Sequence, residues 1–135
     1  MTAAEAPEYI LELVAAYPSI REVWLFGSRA NGTARPESDW DYMAFADEAT
    51  LAALRGDSRF HRAGIHLMIV FDGTQFAAPW PGPARSDNGT LADVDGGWHW
   101  HRVTPTKATY WGTKWPNKRW ECAIRVYPQE DDGAA

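Results

Sequence analysis

Apolar positions follow one rule up to about residue 71 and another after residue 97. In the first part they come at helical spacing or in short unbroken runs. Ile10, Leu13, Val14 and Tyr17 fall on one face of a helix over Pro7–Tyr17. Pro7 suits the first turn, where a missing N–H costs nothing, and Pro18 stops the helix. Ile20–Phe26 reads as a strand covered on both faces, broken by Gly27-Ser28. A second strand spans Trp40–Phe45 after the turn chemistry of Pro36-Glu37-Ser38, and a helical stretch follows around Ala49–Phe60, with Leu51 and Leu54 on one side. Ile65–Phe71 is the most apolar run and reads as the third strand. Strand, helix and strand in that order predict a right-handed parallel crossover.

From Asp72 to Gly97 no period is visible; Pro, Gly, Asp and Asn dominate, as in a functional lid or a disordered excursion. Alternation then sets in. Trp98–Val103, Ala108–Trp115 and Trp120–Tyr127 read as three short strands joined by hairpin loops at Thr104–Lys107 and Pro116–Arg119. In the last of them Trp120, Cys122, Ile124 and Val126 are expected to face the core, and Glu121, Arg125 and Tyr127 the solvent. The predicted fold class is α/β: a small mixed sheet with helices on one side, extended by a C-terminal antiparallel meander.

A chain of 135 residues is expected to form one domain. Within it we read a core over 1–72, a long loop over 73–97, a Trp-rich sheet over 98–127 and a frayed tail over 128–135. No apolar run reaches the length of a membrane span, and Met1–Glu8 lacks the basic-then-apolar pattern of a secretory signal. With Cys122 alone, no disulfide can form within the chain, which fits a reducing compartment; a cytoplasmic location is expected. A net charge of −5 argues against broad capture of nucleic acid or anionic membrane. Five of the eight tryptophans lie between Trp98 and Trp120 and read as a packed sheet face. A base-stacking platform with Lys107, Lys114, Lys118 and Arg119 is the alternative.

Asp39 and Asp41 stand one residue apart at the mouth of the second strand, where i and i+2 share a face. Two hard oxygen ligands at that separation suit Mg²⁺, with Mn²⁺ as the alternative ion, and a glycine loop beside them suits a nucleoside triphosphate. Gly27-Ser28-Arg29-Ala30 followed by Ser38-Asp39-Trp40-Asp41-Tyr42 resembles the signature of the DNA polymerase β-like nucleotidyltransferase superfamily, in its minimal-domain branch. The match runs from Val23 to about Phe71. The resemblance implies that Gly27 admits a phosphate close to the backbone, that the Ser28 hydroxyl and N–H hold the terminal phosphates, and that Ser38 is a further nucleotide-binding residue. It implies that Arg29 and Arg35 neutralise phosphate charge, and that Asp39 and Asp41 are catalytic ligands of the metal. The implied reaction is Mg²⁺-dependent in-line transfer of a nucleoside monophosphate from an NTP, ATP first among them, to an acceptor hydroxyl.

One position departs from that pattern. Where the family places a third carboxylate, this chain has His66. Asp72 shares its parity but stands roughly 20 Å further along the strand. Three readings stay open: His66 is the base that takes the acceptor proton; Asp93 or Asp95 supplies the missing carboxylate; or the chain is an impaired nucleotide-binding or partner-binding module of antitoxin type. Net acidity favours a small molecule or a protein as acceptor over bulk nucleic acid. His99 and His101 share a strand face but have no third ligand at a recognisable spacing, and Asp93-Val94-Asp95-Gly96 lacks the downstream glutamate of a calcium loop. Cys122 is expected to be a buried, inert thiol.

Overall fold

A computed structural model describes residues 5–80, 88–91, 97–112 and 120–128. The first helix, α1 (Glu5–Ala16), leads into β1 (Glu22–Phe26), a single helical turn α2 (Ser28–Asn31) and β2 (Trp40–Phe45). Helix α3 (Glu48–Arg55) follows, opened by Asp47, whose carboxylate accepts from the Thr50 N–H. A 3₁₀ turn at Ser58–Phe60 then leads to β3 (Ile65–Val70). Two three-residue strands, β4 (Gln75–Ala77) and β5 (Asn88–Thr90), precede the meander β6 (Trp98–Thr104), β7 (Lys107–Gly112) and β8 (Glu121–Tyr127). All eight strands join one mixed sheet in the order β5-β4-β3-β2-β1-β8-β7-β6. The β2–β3 pair is parallel, as the crossover requires, and the other pairs are antiparallel.

The central strands are buried on both faces, and parity sorts their side chains. Val23, Leu25, Tyr42, Ala44, Leu67 and Ile69 pack against Tyr9, Ile10 and Leu13 of α1 and Leu51 and Leu54 of α3. The Tyr9 hydroxyl donates to the Phe60 carbonyl at 2.8 Å, which ties α1 to the 3₁₀ turn. Trp24, Phe26, Met43, Phe45, Met68 and Val70 form the second face, covered not by helices but by the meander. Trp98 of β6 meets Phe76 of β4 at 4.9 Å, although five strands lie between β4 and β6 in the sheet order. Such a contact requires the sheet to curl over its own second face. Trp100 sits edge-on to Trp24 at 5.2 Å, and Arg102 donates to Glu22 at 2.8 Å, fastening β6 across β1.

Two expectations change here. The stretch 72–97 is not wholly irregular, because β4 and β5 lie within it. They have no period to read: β5 is Asn-Gly-Thr, and Gly89 is accommodated because a Cβ there would stand 2.6 Å from the Phe76 ring. The last strand alternates as predicted, but its faces are exchanged up to Ile124; past a register shift Val126 packs against the helix-covered core as expected, together with Tyr127. Ala123 is the buried residue, while Trp120, Cys122 and Ile124 are exposed. The inward side is already filled by Tyr110, Trp98 and Trp100, so it admits only the smallest side chain of β8. Asp93, Asp95, Lys114, Lys118, Arg119, the second hairpin loop and the tail beyond 128 lie outside the described residues.

Two measurements check this packing. Cys122→Ser is expected to leave the urea midpoint within the ~0.5 kcal/mol of a surface substitution, whereas Ala123→Leu is expected to destabilise by about 1–3 kcal/mol through overpacking; the reverse order would restore the predicted faces. Burial of Glu22 disfavours its charge, but hydrogen bonds from Arg102 and Trp24 outweigh burial and hold its pKa below the usual 4.5. A depressed folded-state value means that this stabilisation is present above about pH 4.5 and is lost as the pH falls through the folded value. Acid titration of stability is therefore expected to be shallower in Glu22→Gln.

Candidate active site

The strand register assembles the site. Phe26 pairs with Asp41 on β1–β2, and Asp41 pairs with His66 on β2–β3, so the three stand abreast on the face that the meander covers. Asp39 precedes β2 and keeps the parity of Asp41. A cleft of about 480 Å³ opens at this end of the sheet and is lined by Ser28, Ser38, Asp39, Asp41 and His66, with Phe26, Met68 and Trp98 as its apolar walls. His66 Nδ1 lies 3.5 Å from Asp41 Oδ1. A second hollow of about 310 Å³ continues past Ser28 and is lined by Gly27, Asn31, Thr33, Tyr110 and Glu121. Phe26, Ser28 and Trp98 border both.

Gly27 is what lets the carboxylate come so near. Its φ of 73° is a left-handed conformation that favours glycine, and a Cβ added there would overlap Asp41 Oδ2. The chain then winds into α2 and leaves it through Gly32, also left-handed. Ser28 is thereby set beside the two aspartates.

Other candidates take different places. The Arg29 guanidinium donates to the carbonyls of Pro36 (3.2 Å) and Ser38 (3.0 Å) and lies 4.5 Å above the Trp40 ring. Trp40 and Tyr42 alternate with Asp39 and Asp41, so Arg29 occupies the opposite side of β2 from the carboxylates. Burial pushes the Tyr42 phenol up to about 12, against the opposing charge of Arg29. The Arg35 N–H donates to Ser38 Oγ at 2.9 Å, closing the turn before Asp39, and the Arg35 side chain borders neither hollow. Asp72 is used up in the turn into β4, where it accepts from the N–H groups of Thr74 and Gln75. His99 stacks on Trp111 at 4.2 Å and His101 meets Trp120 at 4.9 Å, on the outer side of the meander.

Tyr110, Asn31, Trp98 and Glu121 are the neighbours that sequence reading did not single out. Tyr110 and Gly27 are 83 positions apart, and no local pattern announces such a meeting. Among the described residues no group of three His, Cys, Asp or Glu could hold a metal ion alone. Two carboxylates with hydroxyls alongside fit Mg²⁺, which keeps several waters and completes its octahedron with substrate phosphates.

Known proteins are similar to part of the chain. Residues 8–64 match the family model described as polymerase beta, nucleotidyltransferase. Over 47 residues the chain is 43% identical to the protein adenylyltransferase MntA of Aphanizomenon flos-aquae, a match covering 35% of this chain and 31% of that protein. Over residues 8–64 the chain is thus similar to the polymerase β-like nucleotidyltransferases, and the match spans about a third of its curated relative. A Sulfolobus solfataricus structure assigned as a nucleotidyltransferase overlaps 68% of this chain and 80% of its own, with 22% identity and a TM-score of 0.42. A toxin–antitoxin structure with AMP-PNP overlaps 57% and 74%, with 20% identity and a TM-score of 0.37. Among the described residues no helix is long and apolar enough to cross a membrane.

Gly27→Ala tests the close approach directly. It is expected to destabilise the fold by about 1–3 kcal/mol through backbone strain and to shift the ring resonances of His66 as Asp41 is displaced. Unchanged stability with unmoved His66 signals would contradict the geometry.

Proposed function

We propose that the chain is a nucleotidyltransferase that moves a nucleoside monophosphate from an NTP, most simply ATP, to an acceptor hydroxyl. The observation that carries this is the convergence of Ser28, Asp39, Asp41 and His66 on one cleft. Asp39 and Asp41 would hold Mg²⁺, or Mn²⁺ in its place, and the ion, when bound, would supply Lewis-acid polarisation of the phosphate oxygens. Ser28 and Ser38 border the path of the triphosphate. The acceptor oxygen attacks the α-phosphorus, the bond from that phosphorus to the α,β-bridging oxygen breaks, and pyrophosphate leaves. His66 receives the acceptor proton, oriented by Asp41 at 3.5 Å. The MntA relative is named for adenylylating protein, which supports a protein hydroxyl as acceptor here; a small hydroxylated molecule is the other candidate.

A second reading also has an observation behind it. The β3 position beside Asp41 carries His66 instead of an acid, as a chain that binds nucleotide or a partner without turning the nucleotide over would tolerate. The deciding experiment is incubation with each α-labelled NTP and Mg²⁺, scored for label on the protein and on co-purified material. Asp39→Asn and Asp41→Asn are expected to cut transfer on the order of 10²-fold or more, and His66→Asp to lower it as well. A large gain in His66→Asp would favour the impaired module, and label transfer indifferent to both aspartates would remove metal ligation from the account.

A further inference from the structure

The peptide groups on both sides of Gly27 are held from the C-terminal strands. The Gly27 N–H donates to the Tyr110 hydroxyl of β7 at 2.8 Å. Its carbonyl accepts from Asn31 Nδ2 at 2.8 Å, in addition to the backbone N–H groups of Ala30 and Asn31. Asn31 Oδ1 in turn accepts from the Cys122 N–H of β8 at 2.8 Å. The orientation of the Asn31 amide follows from these partners, since a flip would set oxygen against carbonyl and NH₂ against N–H. Tyr110 is 2% exposed and locked by aromatic neighbours: Trp98 stacks on it at 5.6 Å and Phe26 stands edge-on at 6.1 Å. Burial keeps its phenol protonated, and the nearby carboxylates of Glu121 and Asp41 push the same way.

Gly27 is the hinge between β1 and the serine turn, and its conformation decides where Ser28 sits relative to Asp41. An unrestrained glycine at φ 73° would sample many alternatives. Its own N–H is already engaged by Tyr110. We propose that Tyr110 and Asn31 are positioning residues for the nucleotide: they fix the Gly27 peptides so that Ser28 is presented to the triphosphate beside Asp39 and Asp41. The Trp-rich meander is then a working part of the nucleotide site and not only the lid of a core. This rests on the proposed nucleotidyl transfer.

The test uses the full chain. Tyr110→Phe keeps the ring packing and removes the acceptor; Asn31→Ala removes the side-chain bonds to the Gly27 carbonyl and the Cys122 N–H. Each is expected to weaken Mg·ATP binding, measured by calorimetry, about tenfold, and to raise KM for ATP more than it lowers kcat. The Gly27 and Ser28 amide resonances are expected to shift in both variants, with only a small change in melting temperature. Because both act on one residue, the double variant is expected to lose clearly less than the product of the two single losses. Intact ATP affinity in Tyr110→Phe, or independent losses in the double variant, would overturn the proposal while leaving the transferase reading standing. A wild-type chain that binds no nucleotide would overturn that reading and the proposal with it.

Discussion

The carboxylate of Asp41 pressed against the bare Cα of Gly27 is the contact on which the rest of the structure depends. It brings the end of β1 and the start of β2 closer than any side chain at position 27 would allow. From it follow the position of Ser28, the direction in which the chain enters α2, and the placing of both aspartates at one mouth. In that partly enclosed space the Asp41 carboxylate stands 3.5 Å from His66 Nδ1, and under the proposed function it would also hold a divalent cation.

The second constraint is the curl of the sheet. Helices α1 and α3 cover one face of the central strands, and among the described residues nothing helical covers the other. The chain solves this by folding its own last three strands back over Trp24, Phe26, Phe45 and Met68, with Trp98 and Trp100 as the filling. Large aromatic residues suit this role because each covers much apolar area with few rotatable bonds. The same fold-back brings Tyr110 to Gly27, so core formation and the shaping of the cleft are one event rather than two.

What could be read from the sequence was what is local. The glycine–serine break, the spacing of Asp39 and Asp41 and the apolar β3 run are decided within a few residues, and the parallel crossover sets Asp41 level with His66 as expected. Long-range partners were not legible. Trp98, Trp100 and Tyr110 announce themselves only as alternating aromatics, and which strand edge receives β8 is invisible in any window. The faces of β8 around Ala123 were exchanged for the same reason: alternation gives two sides, but the space left by Tyr110 and Trp98 decides which is inner. Arg29 looked like a phosphate ligand by position, yet its planar head finds two carbonyls and the Trp40 ring on the far side of β2.

Paramagnetic broadening offers the most direct view of the central claim. Substoichiometric Mn²⁺ added with ATP to the ¹⁵N-labelled chain is predicted to erase first the amide signals of Ser28, Asp39, Asp41 and His66, with the Asp72 turn untouched. Broadening centred on Asp72 or on the acidic tail, with those four signals intact, would contradict it.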